Sequence, residues 1–159
     1  IPAGKVFDHP VSALDFAATA NGLAGLPIDP HLDGVDLIPY LTGGNSAAPH
    51  EALYWRFGQQ MAVRAGDFKL VRYDGNADTL TGARNQPPSA LRLYNLATDL
   101  GETRDLAAAM PEKVRELQAK WDAWNAANVK PLWGGQHLDH DGDEPGAPKR
   151  RAKKKAAQP

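Results

Sequence analysis

Fourteen residues near the middle of the chain leave the fewest options. Gln60-Met61-Ala62-Val63-Arg64 and Phe68-Lys69-Leu70-Val71-Arg72-Tyr73 flank Ala65-Gly66-Asp67. The second run alternates apolar and basic side chains, the period of a strand with one face buried and one wet. Glycine beside aspartate between two such runs is a turn signal. Residues 60–73 therefore read as a β-hairpin. Ala52-Leu53-Tyr54-Trp55-Arg56-Phe57, rich in aromatic side chains, and the alternating Leu91-Arg92-Leu93-Tyr94-Asn95-Leu96 add two further strand candidates. Between hairpin and last strand, Asp74 to Ser89 reads as a long loop.

Pro111 opens the strongest helix, Glu112 to Ala127, because proline at a first helical position forfeits only an N–H that would be unpaired anyway. Val114, Leu117, Trp121 and Trp124 fall on one face, which should cover the sheet. Leu106 to Met110 reads as a single helical turn. Near the start, Val11-Ser12-Ala13-Leu14-Asp15-Phe16 has a capping-box pattern, with Val11 and Phe16 placed for a hydrophobic staple. Ala17, Ala18, Ala20 and Leu23 continue that helix, and Gly22 and Gly25 can end it. Val35 to Leu41 suits a short helix and Thr42 to Pro49 a polar loop. The expected class is α+β: a small antiparallel sheet of three to four strands packed by a C-terminal helix, preceded by helices.

Cysteine is absent, which excludes disulfides, thiolate zinc sites and a cysteine nucleophile. No run reaches the roughly 18 apolar residues of a membrane span. The net charge of −1 hides two opposed regions. Six of the 18 basic residues lie between Lys149 and Lys155, leaving 12 basic against 19 acidic, about −7, in residues 1–148. From Gly142 onward Pro, Gly, Ala and Lys dominate, a composition that buries too little apolar surface to offset its ordering entropy, so 136–159 reads as a disordered basic tail. Ile1-Pro2-Ala3-Gly4-Lys5-Val6 has neither an initiator methionine nor the regions of a secretory signal. It reads as the interior of a longer sequence, although a processed terminus would look the same.

Four blocks carry a family resemblance. Val11-Ser12-Ala13-Leu14-Asp15-Phe16-Ala17-Ala18-Thr19, closed by Ala24-Gly25, resembles the sulfatase segment V-S-x-x-D-hydrophobic-x-P-T followed by L-A-G, with Ala18 in place of proline. Leu32-Asp33-Gly34-Val35-Asp36-Leu37-Ile38-Pro39-Tyr40-Leu41 is similar to L-D-G-x-S-L-x-P-x-L, with Asp36 for serine. Met61 to Val71 resembles A-V-R-x-G-x-W-K-L, with Phe68 for tryptophan. Leu93 to Thr103 resembles L-Y-D/N-L-x-x-D-P-x-E-T, with Leu100 for proline. Together the blocks cover about residues 1–125. Physically they describe structure more than chemistry: Gly34 and Gly66 for turns with unusual backbone angles, apolar strand faces, and Asp99 and Glu102 for binding N–H groups at a turn.

The resemblance implies a parent of the alkaline-phosphatase superfamily that hydrolyses sulfate esters, with a formylglycine made in a C/S-x-P-x-R motif and a calcium ion. Both lie N-terminal to the first block in that family. None of Ser12, Ser46 and Ser89 begins such a motif. No catalytic residue, metal ligand or cofactor is therefore assigned to this chain, and it is expected to be inactive by itself. Residues 1–50 are expected to be the tail end of the catalytic α/β domain, 51–135 the C-terminal α+β subdomain. The implied partners are the N-terminal catalytic domain and, in the intact enzyme, a sulfated small molecule or glycan. A parent exported like many sulfatases would be periplasmic or secreted. A related phosphoester or phosphonate hydrolase, or a non-catalytic interaction module, remain the alternatives.

Trp55, Arg56 and Gln59 are the substrate-lining candidates: the resemblance places a loop here that can face the cleft, where Arg56 would meet an anion and Trp55 stack on a ring. The competing reading is an ordinary edge strand with core aromatics. His137 to Glu144 contains ligands for a divalent cation but not EF-hand spacing, so a polar linker is favoured. His9, His31 and His50 read as loop histidines, with His9 able to approach a cleft. The basic tail lacks interleaved aromatics, which argues against nucleic acid. If 1–50 packs on a larger domain, Val35, Leu37, Ile38 and Leu41 should present an apolar patch.

Overall fold

The structure, a computed structural model, describes residues 1, 3–57, 60–73 and 89–129. Four strands, β1 (Leu53–Phe57), β2 (Gln60–Ala65), β3 (Phe68–Arg72) and β4 (Arg92–Asn95), form one antiparallel sheet in sequence order. Three helices, α1 (Asp15–Leu23), α2 (Ile38–Thr42) and α3 (Pro111–Ala126), complete the described elements. The α+β class holds.

The hairpin register follows from its turn. Ala65 pairs with Phe68, leaving Gly66 and Asp67 at the tip. Gly66 has φ +55°, a conformation costly for a side chain, so glycine belongs there. That register aligns Val63, Leu70 and Leu93 across three strands on one face, all fully buried. Leu117 and Trp121 of α3 close over them, with Val114 and Trp124 packed alongside. Tyr54 stacks on Trp124 with ring centroids 5.2 Å apart, and the indole N–H of Trp121 donates to the Trp55 carbonyl at 3.1 Å. The outer edge of β4 is covered too: Leu93 N–H donates to Asp105 Oδ1, and its carbonyl accepts from Leu106 N–H.

In the N-terminal part, half of the capping box forms as expected. Asp15 reaches back to Ser12 N–H at 2.7 Å, while Ser12 Oγ accepts from Leu14 at 3.3 Å rather than from Asp15. Val11 and Phe16 are exposed instead of forming a core staple. α1 ends in a Schellman motif: Leu26 N–H bonds the Asn21 carbonyl, Gly25 N–H the Gly22 carbonyl, and Gly25 has φ +66°. Asp36, where the family has serine, does a cap's work by accepting from Ile38 N–H at 2.9 Å. The substitution keeps the oxygen that the turn needs.

Three expectations need correction. Gly34 does not serve an unusual backbone angle. Its role is close approach: a Cβ there would lie 2.1 Å from the Leu14 carbonyl oxygen. Glu102 does not bind N–H groups. Its carboxylate pairs with Lys69 Nζ at 2.5 Å, while Asp99 takes the N–H groups of Thr103 and Arg104. Leu37 is buried, and Val35, Ile38 and Leu41 are half-buried. The exposed apolar side chains flank and cover α1 instead, Leu14, Phe16, Leu23 and Leu26 among them, because α2 turns residues 35–41 inward against α1.

Candidate functional site

Strand geometry separates the predicted substrate-lining residues. Neighbours on a strand point to opposite faces. Tyr54 and Arg56 face α3, so Leu53, Trp55 and Phe57 face the opposite side of the sheet. The Arg56 guanidinium donates to Asn125 Oδ1 at 2.6 Å and to the Val129 carbonyl at 2.8 Å. Trp55 is 51% exposed and Phe57 70%. Gln59 lies outside the described residues, as do the Lys130–Trp133 arm, the His137–Glu144 cluster, the basic tail and loop residues 74–88.

Trp55 shares its face with a cationic band. It stands in register with Ala62, Val71 and Arg92, and beside it run Leu53, Arg64, Lys69 and Tyr94. Lys69 is paired with Glu102, and Arg92 lies over the Tyr73 ring, 5.7 Å from its centroid. Arg64, diagonal to Trp55 on the next strand, is the guanidinium nearest the exposed indole, and such a pair can stack on a ring and attract an anion.

A second locus was not legible in the sequence. The Asp15 side chain is fully buried and accepts from Ser12 N–H, from Val35 N–H at 3.0 Å and from His50 Nε2 at 2.9 Å. Burial raises its pKa, but the two N–H bonds and His50 outweigh this and hold it below the usual carboxylate value. His50, read as a lone loop histidine, is thus a partner of the first block; only its side-chain burial of all but 11% and its placement across 35 residues reveal it. Thr19 adds a parallel tie, accepting from Leu37 N–H at 3.0 Å. His9 instead lies exposed at a groove of about 250 Å³ with Phe7, Asp8, Tyr40, Asn45 and Ser46.

Among the described residues, no cluster fits the calcium that the resemblance implies. Metal ligation takes several convergent oxygens with free lone pairs. The carboxylates of Asp15, Asp36, Asp99 and Asp105 are instead committed to backbone N–H groups. Among the described residues no three His, Asp or Glu side chains converge.

No protein-family model matches the chain. Arylsulfatase K of Danio rerio is 33% identical over 128 residues, covering 74% of the chain and 22% of that protein. The uncharacterized sulfatase YdeN of Escherichia coli K12 is 31% identical over 140 residues, covering 70% of the chain and 25% of that protein. The chain thus spans about a quarter of the length of these curated relatives. Among solved structures, Ps i-CgsB in complex with k-i-k-neocarrahexaose superposes with TM-score 0.62 at 26% identity over 86% of the chain and 29% of its own. The phosphonate monoester hydrolase of Agrobacterium radiobacter superposes with TM-score 0.53 at 25% identity, over 78% and 26%.

Proposed function

The chain belongs to the sulfatase family, matching a C-terminal portion of its relatives, and from this we propose that it forms the C-terminal α+β part of an enzyme that hydrolyses sulfate esters to an alcohol and sulfate. The observation that carries the reading is identity above 30% to two sulfatases across more than two thirds of the chain. In the proposal, residues 1–50 complete the catalytic domain and 51–135 form the C-terminal subdomain. The exposed apolar side chains of α1 and its flanks, with Phe16 at 73%, support this, since so large an uncovered apolar surface calls for a partner. The partner is the N-terminal catalytic region, which would supply the formylglycine and calcium.

Sulfate-ester cleavage needs an activated nucleophile and cations facing the developing charge. The sequence contains no C/S-x-P-x-R motif. The chain by itself is therefore proposed to be inactive. Trp55 is proposed to line the substrate cleft, stacking on a ring of a sulfated small molecule or glycan; Gln59 is carried in the same proposal. Arg56 contributes through its grip on α3, which fixes the strand that carries Trp55. The likeness to a phosphonate monoester hydrolase favours one second reading, a phosphonate or phosphate ester as substrate.

The test joins the N-terminal region of a matched sulfatase to this chain. Turnover of an aryl sulfate by the chimera, none by the chain alone, and a KM raised several-fold by Trp55→Ala at unchanged Tm are expected. Faster turnover of an aryl phosphonate than of the sulfate would select the second reading. Turnover by the chain alone would overturn the proposed inactivity.

A further inference from the structure

The main apolar core, including the side chains packed around it, runs between Ala52 and Trp124. Residues 12–42 have a separate buried set: Asp15, Ala18 and Leu37. Two consecutive residues stand between these groups and reach in opposite directions. His50 gives its Nε2 to Asp15, and Glu51 pairs with Lys120 of α3. We infer that Asp15 and His50 form a latch that fastens segment 12–42 to the root of β1 and opens when Asp15 takes up a proton, while the sheet stays folded. The inference stands apart from the proposed function.

The chemistry of the partners makes the latch selective for the carboxylate. Ser12 N–H and Val35 N–H can only donate. An ionised carboxylate accepts from both and from His50 at once. A protonated carboxyl would bring an O–H into a site whose sole available acceptor is the imidazole nitrogen. Protonation of either oxygen would weaken the N–H bond it accepts, from Ser12 at Oδ2 or from Val35 at Oδ1, and a fully buried carboxyl cannot turn to water instead.

The other ionisable side chains around the pair are occupied or face away. Asp36, before α2, lies against Gly22 and accepts from Ile38 N–H. Asp33 is exposed beside Gly34, and Glu51 is turned to Lys120. Tyr40 of α2 lines the groove at residues 6–9. The depressed pKa of Asp15 sets the sign: its contribution is present above the ordinary carboxyl value, about 3.9, and is lost as pH falls through the lower folded value. The latch is thus closed at neutral and mildly acid pH.

Residue-resolved hydrogen exchange on the 159-residue chain tests this, with intrinsic pH effects divided out. In His50→Ala and in Asp15→Asn, the Ser12, Val35 and Leu37 amides should exchange about tenfold faster or more, while amides within β2 and β3 change less than about twofold. Wild type should show the same selective loss as pH falls beneath the ordinary carboxyl range and through the lower folded value, and Asp15→Asn should not. His50→Gln, which keeps a side-chain N–H donor, should recover part of the protection and carries the test if Asp15→Asn does not fold. Equal acceleration of the β2 and β3 amides would overturn the latch, as would an unchanged Val35 amide in His50→Ala.

Discussion

Arg56 and Asn125 meet at 2.6 Å although 69 residues separate them, and the same guanidinium holds the Val129 carbonyl. One side chain thereby fastens the edge strand β1 to the end of α3, where a cation also complements the helix dipole. Arg56→Ala should lower unfolding stability by about 1.5–3 kcal/mol, the range for hydrogen bonds to a charged group. Arg56→Lys keeps the charge but not the fork and should recover less than half. Urea unfolding of the three chains checks this; an Arg56→Ala midpoint equal to wild type would refute the fastening.

Leu70 is the centre of the sheet core, paired with Val63 on one side and Leu93 on the other, and all three are fully buried. Leu70→Ala should cost about 2–5 kcal/mol, the range for truncating a buried leucine. Denaturant unfolding should show a lower midpoint at an unchanged slope.

What was legible in the sequence follows from which forces leave a periodic trace. The 60–73 hairpin and α3 were readable because burial of one face imposes a period of two or of 3.6. The same period could have separated Trp55 from Arg56, since adjacent strand residues cannot share a face; grouping them by chemistry overrode it. The Asp15–His50 bond spans 35 residues and leaves no periodic mark. Gly34 was readable as a needed glycine but not for its reason, because close approach of Leu14 is a tertiary fact. The exposed apolar surface was expected at 35–41 and lies on and around α1, since which of two apolar segments turns inward depends on their packing with each other.

Gly34→Ala tests the close approach directly. The added methyl would meet the Leu14 carbonyl oxygen at 2.1 Å and Asp15 N at 2.8 Å, both backbone atoms with little room to yield. Overpacking of this kind costs about 1–3 kcal/mol and occasionally more. The Val35 and Leu37 amides should lose exchange protection, whereas the β2 and β3 amides should keep theirs. Retention of Val35 protection would show that the 12–35 crossing relaxes more easily than its geometry implies.

Asp99 offers a pH-dependent counterpart beside the opposite edge strand, β4. Its carboxylate accepts from Arg104 N–H at 2.8 Å, from Thr103 N–H at 2.9 Å and from the Thr103 hydroxyl at 2.9 Å. The Arg104 and Thr103 N–H bonds hold its pKa below the usual carboxylate value. A depressed folded pKa means that the turn's stabilisation is present above the ordinary carboxyl range and lost as pH falls through the folded value. The turn leads into Asp105 and Leu106, which cover the outer edge of β4 through Leu93. Acidification should therefore release the Thr103 and Arg104 amides first and the Leu93 amide after them. Asp99→Asn should weaken Thr103 and Arg104 protection already at neutral pH and remove its acid dependence. NMR exchange rates across an acid titration measure both effects, and simultaneous release of all three amides in wild type would show that the turn and the β4 edge open as one unit.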